Sequence, residues 1–287
     1  MSLEYWFMFP ISIIVASIAM ASGVEGATFF APIFILGLGF PPEVAVGIGL
    51  ITEVFGFASG LFAYIKRKLI DYKLGRALLT VSIPAAFLGS LLSKQVDSDI
   101  LKIILGMALL AVAFSFLRQP DKKQIRSLDN AHKREFAGSK AETCLVSSDG
   151  ERICYTACNK TEGMLTAGIG GLFMGFISTG LGEMNGYFLL QKCKVSSKVS
   201  VGTSVFVVAV SALCAAIVHL YQFIQVGGEI LNTVFNVVIF TVPGVLIGGQ
   251  IGALIASRIP QEILERSLAV LFIIIALSFI GQVILGV

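Results

Sequence analysis

Ser22-Gly23-Val24-Glu25-Gly26-Ala27-Thr28 breaks a long apolar run in mid-course. It sets two glycines and a carboxylate where a membrane is driest. A second break, Thr179-Gly180-Leu181-Gly182-Glu183-Met184-Asn185-Gly186, repeats the theme some 155 residues later. Irregular backbone and charge at membrane depth are tolerated only where they face protein or a cavity. The two breaks therefore read as the walls of one buried site.

The setting for that reading is the composition. Of 287 residues, 56% are hydrophobic and 14% charged. A soluble domain is nearer a quarter charged. Several apolar runs approach twenty residues, enough to cross a bilayer. The fold class is an all-α polytopic membrane protein. The N-terminus lacks the basic region of a cleaved signal and reads as mature sequence. Tyr5 and Trp6 suit a membrane interface. Five cysteines, two of them inside apolar runs, do not read as a disulfide framework.

Outward from the first break, Trp6–Ala21 and Ala27–Phe40 are its two arms, and Pro41-Pro42 ends the second. Full spans follow at 44–64, 74–93 and 99–117. Arg118–Glu162 then holds nine basic and seven acidic residues. It reads as a solvated linker, with a small hairpin turning at Asp149-Gly150. Gly163–Ser178 leads into the second break, and spans follow at 199–221, 231–256 and 263–285. The organisation is a first transmembrane repeat (1–117), a linker (118–162) and a second transmembrane repeat (163–287).

The halves align. Pro42-Glu43-Val44-Ala45-Val46-Gly47-Ile48-Gly49 matches Ser197-Lys198-Val199-Ser200-Val201-Gly202-Thr203-Ser204, and Pro84 with Gly89 matches Pro243 with Gly248. Lys and Arg set orientation. Residues 1–43 carry none and are expected outside. The loops around Lys66-Arg67-Lys68 and Lys192, Lys194 and Lys198 are expected inside, with the linker. Both termini are then outside. These assignments hold only if 6–40 and 163–191 dip in and return to the side they entered. Each half becomes a broken, re-entrant helical hairpin plus three crossings, and the halves are inverted repeats. Such repeats, with broken helices meeting at the midplane, make a transporter architecture. Trp6–Ser22 is long for a half-depth arm, about 25 Å as a helix, and calls for tilt.

No Lys or Arg lies deep in a span, so a bound anion would rest on backbone N–H groups and helix N-termini. The candidate substrate-binding residues are Gly23, Glu25, Gly26, Ala27, Thr28, Gly182, Glu183, Asn185, Gly186, Thr203 and Ser204. A charged carboxylate at membrane centre costs at least ~2.5–3.5 kcal/mol and repels an anion; a protonated one does neither. Glu25, Glu183 and the mid-span Glu53 are therefore candidates for proton coupling. The plain alternative is that each only caps a half-helix. His219 reads as interfacial. Cys144, Cys154 and Cys158 invite a weak metal reading without a fourth ligand, and redox sensing by the hairpin thiols is open. Cys193 and Cys214 read as ordinary small residues. No metal, cofactor or nucleic acid is called for, and the oligomeric state is open.

Gly23-Val24-Glu25-Gly26-Ala27-Thr28-Phe29-Phe30-Ala31-Pro32, followed by Ala45-Val46-Gly47-Ile48-Gly49, resembles the first motif of the sulfite exporter TauE/SafE family. Gly180-Leu181-Gly182-Glu183 and Ser200-Val201-Gly202-Thr203-Ser204 resemble the second. The likeness spans nearly the whole chain except 118–162. Two departures stand out: glutamates interrupt the family's glycine run, and Pro32 has no counterpart near Leu189. The resemblance implies a plasma-membrane transporter of sulfite, a sulfonate or a related small anion. A Na⁺ or H⁺ transporter using the glutamates is the alternative. An enzyme is disfavoured, with two histidines and no spaced nucleophile–base pair. A sensor signalling through the linker is a further alternative.

Overall fold

Proline and a capping carboxylate fix where the spans begin. In a computed structural model, residues 3–22, 25–117, 143–155, 160–193, 195–255 and 261–285 are described. Helix α1 is Met8–Ser22; α2 is Ala27–Pro32 and widens into a π-helical turn, Ile33–Gly37. Helices α3 (Pro42–Lys66), α4 (Tyr72–Ser93) and α5 (Ser98–Leu117) follow. Pro42 opens α3 at a first-turn position that needs no N–H. Asp71 caps α4, its Oδ1 accepting from the amides of Lys73 and Leu74 at 2.9 and 3.0 Å.

The second half repeats the order: α6 (Lys160–Ile177), α7 (Leu181–Gly186) with a π-helical turn (Tyr187–Lys192), α8 (Ser197–Val226), α9 (Gly228–Ile255) and α10 (Gln261–Leu285). Both π turns occupy the same place, yet only one follows a proline. Pro32 is therefore not their cause. Among the described residues, six helices are long and apolar enough to cross a membrane: α3, α4, α5, α8, α9 and α10. Between the halves, β1 (Thr143–Val146) and β2 (Arg152–Tyr155) form an antiparallel hairpin. The linker residues 118–142 lie outside the described residues.

Lipid is as apolar as leucine, so membrane helices associate through close packing and interhelical hydrogen bonds. Glycine supplies the close approach here. A Cβ on Gly175 of α6 would stand 2.0 Å from the Ala86 carbonyl oxygen of α4, and one on Gly89 of α4 would stand 2.1 Å from the Leu172 oxygen of α6. In α9, a Cβ on Gly248 would stand 2.4 Å from the Ile13 oxygen of α1. Each half thus lends its first helix to the other half's proline-bearing helix. Hydroxyl pairs tie the same framework: Thr52 to Thr241 (α3–α9) at 2.8 Å and Ser82 to Ser211 (α4–α8) at 2.9 Å.

These contacts give the directions. Along α9, Gly244, Gly248 and Gly252 meet Phe9–Ser12, Ile13–Ala16 and Ser17–Met20 in order, so α1 runs parallel to α9. The pairs Thr52–Thr241 and Ser59–Gln250 make α9 parallel to α3. Ala27, the start of α2, lies beside Gly49 and donates its amide to Glu53. From there the arm runs back to Phe40 and Pro41 at the head of α3, so α2 opposes α1. The second half does likewise, with Gly170 beside Leu181 and Gly163 beside Phe188. Both broken segments double back within the bundle. Two apolar cores flank them. One is built mainly on α1, α2, α5 and α10, where the Phe29 and Phe272 rings sit 5.0 Å apart. The other is built mainly on α3, α4, α6, α7 and α8.

Two expectations about single residues are corrected. His219 is not interfacial: it is buried, with Nε2 3.2 Å from the Gly175 oxygen, and Gly47 of α3 leaves it room, since a Cβ there would stand 3.2 Å from the His219 Cβ. The cysteines are not all unpaired. Cys144 and Cys154 are directly opposite in the hairpin register and form a disulfide, with Cα atoms 4.1 Å apart. Cys193 is disulfide-bonded as well. Counting cysteines missed what strand register brings together. Cys214 is free, and Cys158 lies outside the described residues.

Candidate functional site

The second break turns on two left-handed residues. Ser178 has φ +59° and Gly180 φ +112°. A non-glycine residue in that region is strained, and such strain gathers at functional sites. The turn frees the first amides of α7 from intrahelical partners. Both face Glu25. The Glu25 carboxylate accepts from Gly180 N–H at 3.0 Å through Oε2 and from Gly182 N–H at 2.5 Å through Oε1. The carboxylate of one break thus caps the half-helix of the other. Gly182 permits this contact, since a Cβ there would stand 2.7 Å from Glu25 Oε1.

The first half-helix is capped by a different carboxylate. Ala27 N–H donates to Glu53 Oε1 at 3.0 Å, and Gly26 N–H faces the same group. Thr28 and Thr179 join the two tips by a 2.8 Å hydroxyl bond. Ser204 Oγ lies 3.5 Å from the Gly182 carbonyl oxygen. Glu25 and Glu53 are buried, and Glu25, Glu53 and Glu183 are close enough to interact electrostatically.

Several polar atoms at this centre lack partners. Glu53 Oε2, both Glu183 oxygens and both polar atoms of Asn185 are buried without a hydrogen bond among the described residues. Glu183 faces its own amide and that of Gly180, with neither carboxylate oxygen in bonding geometry among the described residues. Two clefts reach the centre. One of about 150 Å³ runs along Glu53, Gly26, Phe57, Tyr64 and Val205. The other, about 360 Å³ and apolar, brings Glu183 and Thr179 against Met107, Val112 and Phe173.

The structure therefore brings together Glu25, Gly26, Ala27, Thr28, Gly182, Glu183 and Ser204, with Asn185 and Gly186 on the same short helix. Thr203 is not among them. Its hydroxyl accepts the Asp71 amide at 3.0 Å at the head of α4. Alignment located the residue but not the face of α8 it serves. Gly23 lies outside the described residues. Thr179 and the Gly180 amide were not among the candidates. Their signal was there: Thr179 opens the second break as Thr28 closes the first.

Backbone amides of both half-helices and the carboxylates of Glu25 and Glu53 thus meet inside a bundle of apolar helices. Residues 8–279 match the family model described as Sulfite exporter TauE/SafE. The chain belongs to that family. Its TauE/SafE relatives include the probable membrane transporter protein YunE of Bacillus subtilis (strain 168), 25% identical over 84% of this chain and 82% of that one. The probable membrane transporter protein YjnA of the same organism is 25% identical over 89% and 93%. A probable membrane transporter protein, ORF9, of a Sinorhizobium species is 30% identical over 40% of this chain and 43% of its own length. No solved structure matches. This is a multi-pass membrane transporter.

Proposed function

We propose that the chain is a secondary transporter of a small sulfur-containing anion, of the sulfite or organosulfonate class, in the plasma membrane. The Glu25 carboxylate on the Gly180 and Gly182 amides carries the reading. Two convergent N–H groups at a half-helix start are an anion site. A sulfite or sulfonate group presents the same oxygens. In this reading Glu25 stands in for the cargo: when it takes a proton it releases the amides, and the anion replaces it. Thr28, Thr179 and Ser204 add hydroxyls, and Asn185 lends its unpartnered amide. Glu53 holds the opposite cradle, and Glu183 offers a second proton site.

The reading includes two halves related as inverted repeats, 1–117 and 163–287. The exchange of α1 and α6 between halves and the matched hydroxyl pairs support it. It also puts the linker on the cytoplasmic side and both termini outside. Clustering supports the first part: the 66–71 loop, the 195–203 segment and the hairpin 143–155 lie at one end, and the first two carry Lys66, Arg67, Lys68 and Lys198.

Radiolabelled sulfite uptake into proteoliposomes under an imposed pH gradient tests the proposal. The expected result is gradient-dependent flux competed by organosulfonates and not by sodium. A second reading, transport of Na⁺ or H⁺ as cargo, draws on the partnerless oxygens of Glu53 and Glu183. It predicts cation flux with no anion requirement.

A further inference from the structure

The linker hairpin has no role in the site just described, yet it is firmly docked. Ser148 N–H donates to the Arg67 carbonyl at 3.0 Å, Lys198 Nζ meets Glu151 Oε2 at 2.7 Å, and Tyr155 O–H donates to Asp71 Oδ2 at 2.5 Å. Ile153 and Tyr155 are buried on its inner face. Its turn also shapes an opening. Ser147 and Asp149 line a cavity of about 650 Å³ together with Arg67, Lys198, Tyr64 and Val201. Tyr64 and Val201 also line the cleft that leads to Glu53 and Gly26. The hairpin thus borders the basic mouth of the path to the centre.

The Cys144–Cys154 disulfide lies on the other face, with Cys144 exposed. Two strands of four residues are marginal alone, so the disulfide holds their register. Its place is at odds with the basic loops around it. Those loops mark a cytoplasmic end, and there a disulfide is characteristically transient or redox-sensing. Exposure and a cytoplasmic position together describe a reversible bond, not a permanent staple.

We propose that the hairpin is a thiol-switched strap over the basic mouth of the transport path, closed when Cys144 and Cys154 are joined and loosened when they are reduced. The proposal rests on the transporter reading above. The reductant class is a low-potential dithiol. One of its thiolates attacks the exposed Cys144 sulfur, forms a mixed disulfide and expels Cys154 as a thiolate. Its second thiol then attacks the mixed disulfide and releases Cys144. The hairpin gains two electrons and two protons, and the dithiol becomes a disulfide. Without the cross-link the strands part, and the hold of Ser148, Glu151 and Tyr155 on the mouth loosens.

The test uses the full chain carrying Val205→Cys, one helical turn inward of Val201 on the same cleft. A water-soluble maleimide is applied after dithiol treatment and removal of the dithiol, and its rate at residue 205 is read by mass spectrometry. The rate is expected to rise several-fold on reduction. It should be high without reduction in Cys144→Ser, Cys154→Ser. Tyr155→Phe, which keeps the disulfide, should raise it less. Sulfite flux should follow the labelling. Equal labelling of oxidised and reduced protein overturns the strap. So does modification of the hairpin from outside intact cells, which would make the disulfide a staple on the outer face. Switching of the labelling without sulfite flux would leave the strap and overturn the cargo reading alone.

Discussion

Glu25 accepts from two amides at the start of α7, and this is the point on which single substitutions should act. Hydrogen bonds to a charged group contribute about 1.5–3 kcal/mol each. Glu25→Gln keeps one acceptor oxygen and turns an NH₂ toward the remaining amide. Sulfite flux in proteoliposomes is expected to fall at least about tenfold, which is about 1.4 kcal/mol, and to lose its dependence on the pH gradient. Unchanged flux would remove Glu25 from the mechanism. Gly182→Ala places a methyl 2.7 Å from Glu25 Oε1. Overpacking of this kind costs about 1–3 kcal/mol. The variant should fold with a lower melting temperature, measured by thermal shift, and transport poorly. At this scale the sequence was readable wherever a residue broke an apolar run. Glu25, Gly182 and Thr28 announce themselves that way. Thr203 sits in an aligned motif, but alignment does not say which neighbour its hydroxyl meets. Which carboxylate caps which half-helix was equally out of reach, because the partner lies 155 residues away.

Among elements, the broken hairpins are held by glycine faces rather than by propensity. The Gly175 and Gly248 positions contact backbone of the partner helix, so nothing flexible can give way. Gly175→Leu and Gly248→Leu should each sharply lower the melting temperature, and by comparable amounts, as the matched packing of α6 on α4 and α1 on α9 requires. Two break-bearing segments and six spans were legible from apolar run length and from the basic loops. The exchange of first helices was not, because hydropathy does not name a helix's partner. The hairpin's place at the mouth was hidden for a similar reason: a polar linker reads as solvated until Tyr155 and Ile153 find a buried seat. Burial first, then the Asp71 carboxylate, raises the Tyr155 phenol above its ordinary value. The docked state therefore holds this proton more tightly than the free hairpin. The phenol's contribution to docking should be constant below the ordinary tyrosine value of about 10, and should be lost progressively above it. Protease protection of the hairpin across pH, in wild type and Tyr155→Phe, checks this.

In the molecule as a whole, two doubled-back segments bring their tips together at one centre, where, in the proposed function, the chain's own carboxylates hold the place of a cargo anion. Family membership fixes that it is a membrane transporter; the site geometry supports the proposal of an anion as cargo. The most direct measurement joins the tips. Thr28 and Thr179 hydroxyls are 2.8 Å apart, so Thr28→Cys with Thr179→Cys, in a background whose other cysteines are serine and whose transport has been checked, should cross-link on mild oxidation. The cross-link is expected to stop sulfite flux in proteoliposomes, and reduction to restore it. Failure of the pair to cross-link, or sulfite flux at the uncross-linked rate after complete cross-linking, would contradict the proposed function.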